Sequence, residues 1–389
     1  MKLKSKYILL FLFTAIVAVS CVEEIPLETE GFESAIVIEG TVTNEVKQHQ
    51  IKLSETYAIA TTGPNPLSGA DVRVVGNSQH VFEETEPGIY ISRDSFAAES
   101  GVDYQLRISV NGQDYESESM QLPMTSSIGE LEANRITLQG EDGVAITLNN
   151  QNISGIGNYY RYEYIETFKF TSNMFKTNDI IIEDGIAKLV PKLKEEYTCY
   201  QTNQSQDLIL ANTNSLIEDS VNNLLINFVD SDEPKISNRY SLLVKQYVIS
   251  REAYTYFEIL EKLSNSDNLF SQIQPGFFAG NISNISNQEE KIIGFFDISS
   301  VSTKRIYFNY EDFYDPQNIR PKFVPNSACE VTFPEIGLLI QQIANNAIRW
   351  YETPLPLPLN QQQPVLVVPR RCVDCTVFGS NEKPEFWEE

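Results

Sequence analysis

The chain has 389 residues with 53 acidic against 29 basic side chains, a formal net charge of −24, and only two histidines. Such a field excludes nucleic acid and anionic lipid headgroups as natural partners, while 42% apolar residues suffice to bury a sizeable core. His49 and His80 sit in no metal or hydrolase pattern, and no nucleophile elbow, phosphate-cradling loop or dinucleotide fingerprint occurs in the sequence. No cofactor and no enzymatic activity are expected.

At the N-terminus, Lys2, Lys4 and Lys6 precede an apolar or small run from Ile8 to Val19 that stops at Ser20-Cys21. A dozen residues fall short of the roughly 20 that span a bilayer, so residues 1–20 read as a cleaved signal peptide and Cys21 as the lipidated first residue. Ala18-Val19-Ser20-Cys21 departs from the usual lipoprotein pattern in lacking Leu three residues before the cysteine. Several acyl chains on one residue give stable anchoring where a single chain does not. Without the three signal-segment lysines the mature chain has 26 basic and 53 acidic residues, or −27. Residues 21–33 read as an acidic tether.

From 34 to 124 short β-rich runs alternate with turns: Ala35 to Glu39, Gln50 to Glu55, Ala70 to Val75, Gly88 to Ser92, Asp103 to Val110 and Gln113 to Leu122. This spacing predicts an Ig-like or transthyretin-like β-sandwich. Asn111-Gly112 between two alternating runs predicts a type I′ hairpin. Pro66 to Val74 resembles an opening strand of carboxypeptidase-regulatory and transthyretin-like sandwiches, which implies a fold and no activity.

A Ser, Thr and Gly-rich stretch near Pro123 to Glu130 marks the boundary to a larger β-rich unit, 125–389, of sandwich-like character with two helical insertions. Its expected strands are Val144 to Leu148, Tyr159 to Phe170, Asp179 to Glu183, Leu208 to Asn212, Asn223 to Val229, Arg239 to Ile249, Gly276 to Ile282, Lys291 to Ile298 and Arg305 to Tyr310. Alternating aromatics in Tyr159 to Tyr164 read first as a half-buried sheet face. Ser250 predicts the cap of a helix over 251–263, and apolar spacing predicts a second helix over about 335–350. Pro354 to Pro358 cannot be helical and leads to a C-terminal arm.

Four cysteines remain in the mature chain, Cys199, Cys329, Cys372 and Cys375, an even number in an exported protein. Disulfides are favoured over a four-thiolate zinc site because only one Cys-x-x-Cys pair exists. All three pairings stay open, and a bridge from the C-terminal arm to Cys329 or Cys199 is preferred. The acidic groups around Asp230 to Glu233 and Glu311 to Asp315 read as solvated loops. Tyr159, Trp350 and Trp387 are the candidate rings for ligand stacking.

The order of signal, an Ala-Ile-Val-Ile-Glu-Gly strand at Ala35 to Gly40, Pro-Leu-Ser-Gly-Ala-Asp-Val at Pro66 to Val72, Val244 to Tyr247 leading into an aromatic helix, and Cys372-x-x-Cys375 followed by Lys383-Pro384-x-Phe386-Trp387 resembles an uncharacterised family. These are Bacteroidota outer-membrane lipoproteins grouped as a domain of unknown function. The resemblance covers nearly the whole mature chain, and Phe378-Gly379-Ser380 departs from the Gly-Gly that members more often have. It implies an accessory role beside TonB-dependent receptors. Glu23 and Glu24 are similar to the signal that exports such lipoproteins to the cell surface. Three roles are therefore weighed: a non-enzymatic transporter accessory first, a glycan- or peptide-binding module second, a structural or adhesive lipoprotein third.

Overall fold

The computed structural model describes residues 34–57, 63–151, 158–184, 186–214, 220–264, 280–352 and 365–389. The protein is mainly β with open sheets, as its sequence predicts, and the described residues hold two α-helices. The strands of three or more residues are β1 Ile36–Thr43, β2 Gln50–Glu55, β3 Asp71–Val75, β4 Gln79–Glu86, β5 Ile89–Ser92, β6 Asp103–Val110, β7 Gln113–Ser117, β8 Glu130–Leu138 and β9 Glu141–Gln151. There follow β10 Tyr159–Thr171, β11 Asn178–Glu183, β12 Ile186–Pro191, β13 Thr198–Gln204, β14 Ile209–Asn212, β15 Ser220–Asp230, β16 Arg239–Ile249, helix α1 Arg251–Ser264, β17 Ile282–Asn284 and β18 Ile292–Asn309. Helix α2 Ile336–Ala344 and the pair β19 Ile348–Glu352 and β20 Leu366–Pro369 complete the order.

Sequence alternation places Val72, Val74, Leu106 and Ile108 inward and their neighbours outward, which builds the first core. Between β6 and β7, Asn111 and Gly112 both have positive φ, 53° and 75°, the type I′ geometry expected of Asn-Gly. In β10 the even-numbered Tyr160, Tyr162, Phe168 and Phe170 enter a second core against Val144, Ile146 and Leu148 of the three-stranded sheet β8-β9-β15. The Tyr-rich run is thus a sheet face whose rings are packed inside.

One strand joins the two cores. The first half of β18 runs parallel to β1, from Ile36 opposite Ile292 to Thr43 opposite Ser299, and its second half runs antiparallel to β16, from Ser300 opposite Val248 to Asn309 opposite Arg239. The resulting sheet runs β13-β10-β16-β18-β1-β2-β5-β4-β3-β6-β7-β17. Strands β17 and β18 return from beyond residue 124 to complete the part begun by β1. Gly294, at φ +130°, permits the close approach of β18 to β1: a Cβ there would lie 1.8 Å from the Ile38 carbonyl oxygen. Sequence pattern predicts two strands, separated by the serine-containing stretch Ser299 to Lys304. These serines instead anchor the segment linking the two cores: Ser300 donates to the Met124 carbonyl at 3.3 Å and Ser302 to the Ser126 carbonyl at 2.7 Å. Gln246 donates to the same Ser126 carbonyl at 2.9 Å. The linker is therefore clamped across the junction with Ser126 buried.

Helix α1 begins as predicted, with the Ser250 hydroxyl accepting from the Ala253 amide at 3.0 Å. The second helix is shorter than predicted. It ends at Ala344, Asn346 adopts φ 56°, and Ile348–Glu352 forms a strand against Leu366–Pro369. Asparagine tolerates the left-handed conformation that stops a helix, and the apolar spacing of Ala347 and Trp350 cannot reveal that stop. Strands β4, β8, β12 and β13 are absent from the sequence reading; β4 and β8 face solvent along most of their length and carry little apolar alternation. The segments expected around Gly276 to Ala279 and Pro354 to Pro358 lie outside the described residues.

Candidate functional site

Beyond the C-terminal end of β18 the chain builds a cap from the hairpin β11–β12, helix α2, the hairpin β19–β20 and the terminal arm. Its apolar centres are small: Val324 with Cys329 and Cys372, and Leu339 with Ile348 and Val367. Two-stranded hairpins are marginal without packing partners, so other forces hold the cap. Cys199 of β13 is bonded to Cys375, and Cys329 to Cys372, each with Cα atoms 5.7 Å apart. The Cys-x-x-Cys pair thus sends one bridge to each of the two separated cysteines, and the zinc alternative gives way to two disulfides.

Charge supplies the second restraint. The fully buried Asp374 carboxylate accepts from Arg370 Nε at 2.5 Å, Arg349 Nη2 at 3.2 Å and the Thr376 amide at 2.9 Å. Burial pushes its pKa up, but hydrogen bonds from Thr376 and Arg370 and the Arg370 charge outweigh this and hold it below the ordinary carboxylate range. Lys192 and Glu196, 2.9 Å apart and both largely buried, continue the network. With the frame fixed this way, apolar side chains are left outside. Leu193 is 94% exposed, Phe175 and Phe333 63%, Ile336 50% and Leu338 49%, and Ile181 and Leu189 of the hairpin are also exposed.

A second feature lies on the opposite face of β10 from the second core. There the odd-numbered Arg161 and Glu163, with Gln204 to Leu208 and with Phe257, Leu260 and Glu261 of α1, line a cleft of about 550 Å³. Arg161 is nearly buried, forms an ion pair with Glu163, and has its Cζ 4.3 Å from the Tyr247 ring centre and 5.1 Å from that of Phe257. Tyr247 donates to Glu163 at 3.1 Å. Beneath this layer Asp297 of β18 is fully buried, and neither of its oxygens completes a hydrogen bond of normal geometry. Burial pushes its pKa up to about 6 against the opposing pull of the Arg161 charge. The sequence offers one signal for these groups: charged residues at odd positions of a strand whose even positions are aromatic.

The residues singled out in the sequence divide clearly. Cys21, Glu23 and Glu24 lie outside the described residues. Tyr159 packs on Tyr254 of α1 with ring centroids 5.0 Å apart. Trp350 stands on β19, where Lys176 Nζ is 5.9 Å from its ring centre. Trp387 is buried against Tyr200 at 5.1 Å and Tyr307 at 6.1 Å and is no ligand platform; an aromatic near a terminus gives no sign of the groove that receives it. The three rings are not brought together. The acidic clusters serve turns, with Asp230 accepting from the Asp232 amide and Asp312 from the Asn309 amide. His49 is buried with Nε2 2.9 Å from the Phe96 carbonyl, and burial lowers its pKa to about 4. Another buried acid, Glu166, has full partners in Lys235 at 3.0 Å, Asn203 at 2.9 Å and Tyr240 at 2.7 Å, so it binds the second core together. Among the described residues no group of three His, Cys, Asp or Glu side chains could hold a metal ion.

Fold and cap together define a mainly β protein of two strand-coupled cores with a disulfide-stapled terminal cap. The chain belongs to the family described as Domain of unknown function (DUF4249), whose model matches residues 22–305. That match ends inside β18, so the later residues of the cap lie beyond it. No curated protein matches the chain.

Proposed function

We propose that the mature chain is a non-enzymatic, lipid-anchored accessory component of a TonB-dependent transport system, held at the outer membrane through Cys21 and displayed at the cell surface by the acidic tether at Glu23 and Glu24. The observation that carries this reading is the cap: a rigidly stapled frame that leaves Leu193, Phe175, Phe333, Ile336 and Leu338 in solvent. Apolar side chains kept outside at the cost of solubility mark surfaces that partners cover. The tether joins the body at the start of β1, beside Ile292, whereas the cap gathers beyond Asn309. The two thus lie at opposite ends of β18, whose 18 residues at about 3.3 Å each make it roughly 60 Å long. The cap is therefore held far from the point of attachment, where it can meet a protein.

The test is affinity purification of the tagged chain from gently solubilised outer membranes, with a Cys21→Ala strain as control. Recovery of one TonB-dependent receptor in stoichiometric amount, lost in the control, is the expected outcome. Recovery of the chain alone would refute a stable complex.

A further inference from the structure

The cleft between β10, the Gln204 to Leu208 segment and α1 is independent of the cap and carries its own chemistry. Its volume, about 550 Å³, falls within the roughly 300–1,000 Å³ typical of small-ligand sites. Among its lining residues, the side chains of Gln204, Gln206, Asp207 and Glu261 make no hydrogen bond or ion pair among the described residues. Among the described residues Arg161 commits only Nη1, to Glu163, and its Nε has no acceptor; a guanidinium carries five N–H donors. Leu208, Phe257 and Leu260 supply an apolar side.

Two carboxylates that line one cleft without a partner among the described residues favour a cation there. Among the described lining residues the only basic group, Arg161, is already neutralised by Glu163 and does not offset Asp207 and Glu261. Sugar rings need an open aromatic face, and the Phe257 face toward the base is covered by the Arg161 guanidinium at 5.1 Å. A peptide needs no such face: its carbonyls accept from amides and guanidinium, and its apolar side chains fit beside Leu208 and Leu260.

We infer that this cleft binds a short cationic peptide segment, with an ammonium group between Asp207 and Glu261, backbone carbonyls toward Gln204, Gln206 and Arg161, and an apolar side chain against Leu208, Phe257 and Leu260. The site stands with or without cap docking, since it lies on a different face and uses none of the cap's residues.

The test is calorimetric titration of the full chain in detergent with the tetrapeptide Leu-Lys-Leu-Lys, with Leu-Glu-Leu-Glu and a glucose hexasaccharide as comparisons. One-to-one binding of the cationic peptide alone is expected, weakened about tenfold in the Asp207→Asn/Glu261→Gln double variant. Because this variant removes only two charges from a strongly acidic protein, a general attraction of cations to its surface would survive the change. Cationic-peptide binding that is absent, or equal in parent and double variant, would overturn the inference, and so would binding of the saccharide alone.

Discussion

The two cores and the cap solve the same problem with different means. In the cores, dozens of apolar side chains interdigitate along alternating strands, and β18 runs through both so that neither can open without disturbing the other. In the cap the apolar centres are only a few residues each, and two disulfides with a buried carboxylate–guanidinium cluster take over. Covalent and ionic restraint does not consume apolar surface. A segment fixed this way can keep its leucines and phenylalanines for something outside itself.

Breaking the restraint gives the largest expected effect. The two bridges close loops with separations of 176 and 43 residues, and chain entropy sets their stabilisation at up to about 5 and about 4 kcal/mol. In Cys199→Ser/Cys375→Ser, limited proteolysis is expected to remove the part of the cap that follows Asn309 while the strands of both cores survive. Simultaneous digestion of cores and cap would show that the two regions are not separable.

Asp374→Ala should cost about 3 kcal/mol, because Arg349 and Arg370 are left buried or half-buried without their shared acceptor. Its carboxyl is held below the ordinary range in the folded state. Its contribution is thus complete above the unfolded carboxyl pKa and is lost as pH falls through the lower folded value. Thermal melts of parent and variant between pH 7 and pH 2 are expected to converge at the acid end.

In the cores the pH dependence of a buried acid has the opposite sign. Asp297 has its folded pKa raised to about 6, so its protonated form favours folding at low pH and this contribution is lost as pH rises through 6. Asp297→Asn is accordingly expected to stabilise the protein at pH 8 by up to about 3 kcal/mol, and to leave it nearly unchanged at pH 4. Chemical denaturation at the two pH values checks the sign. His49, lowered to about 4 by burial, instead contributes stability above its ordinary pKa of 6.5, and that contribution is lost as pH falls through 4.

Local chemistry made much of the cores legible in the sequence. Asn111-Gly112 fixes a hairpin, Ser250 caps α1, and the period-two pattern of β3, β6 and β10 assigns inward faces. What stayed hidden depends on long-range pairing. No local signal tells that Ser299 to Lys304 continue a strand, because the hydroxyls of Ser300 and Ser302 are satisfied by a linker 176 residues earlier. The cap was legible as four cysteines, a terminal arm, one strand at Asp179 to Glu183 and a helix drawn too long over 335–350. Asp374 lies inside the Cys-x-x-Cys sequence, yet its partner Arg349 was expected on a helix that Asn346 in fact terminates. Arg161 and Glu163 were visible as charges within an aromatic strand, but their pairing with Tyr247 and α1 required the register of β10 on β16.

The smallest expected effect on stability accompanies the largest on function. Leu193→Asp and Phe333→Asp alter exposed side chains and should each change stability by less than about 0.5 kcal/mol. The most direct measurement is the ratio of co-purified TonB-dependent receptor to tagged chain, determined by quantitative mass spectrometry for the parent and for the Leu193→Asp/Phe333→Asp double variant at equal surface abundance. The cap as docking surface predicts a fall of about tenfold or more in that ratio, with both disulfides intact. An unchanged ratio would place the contact elsewhere on the protein and contradict the assignment.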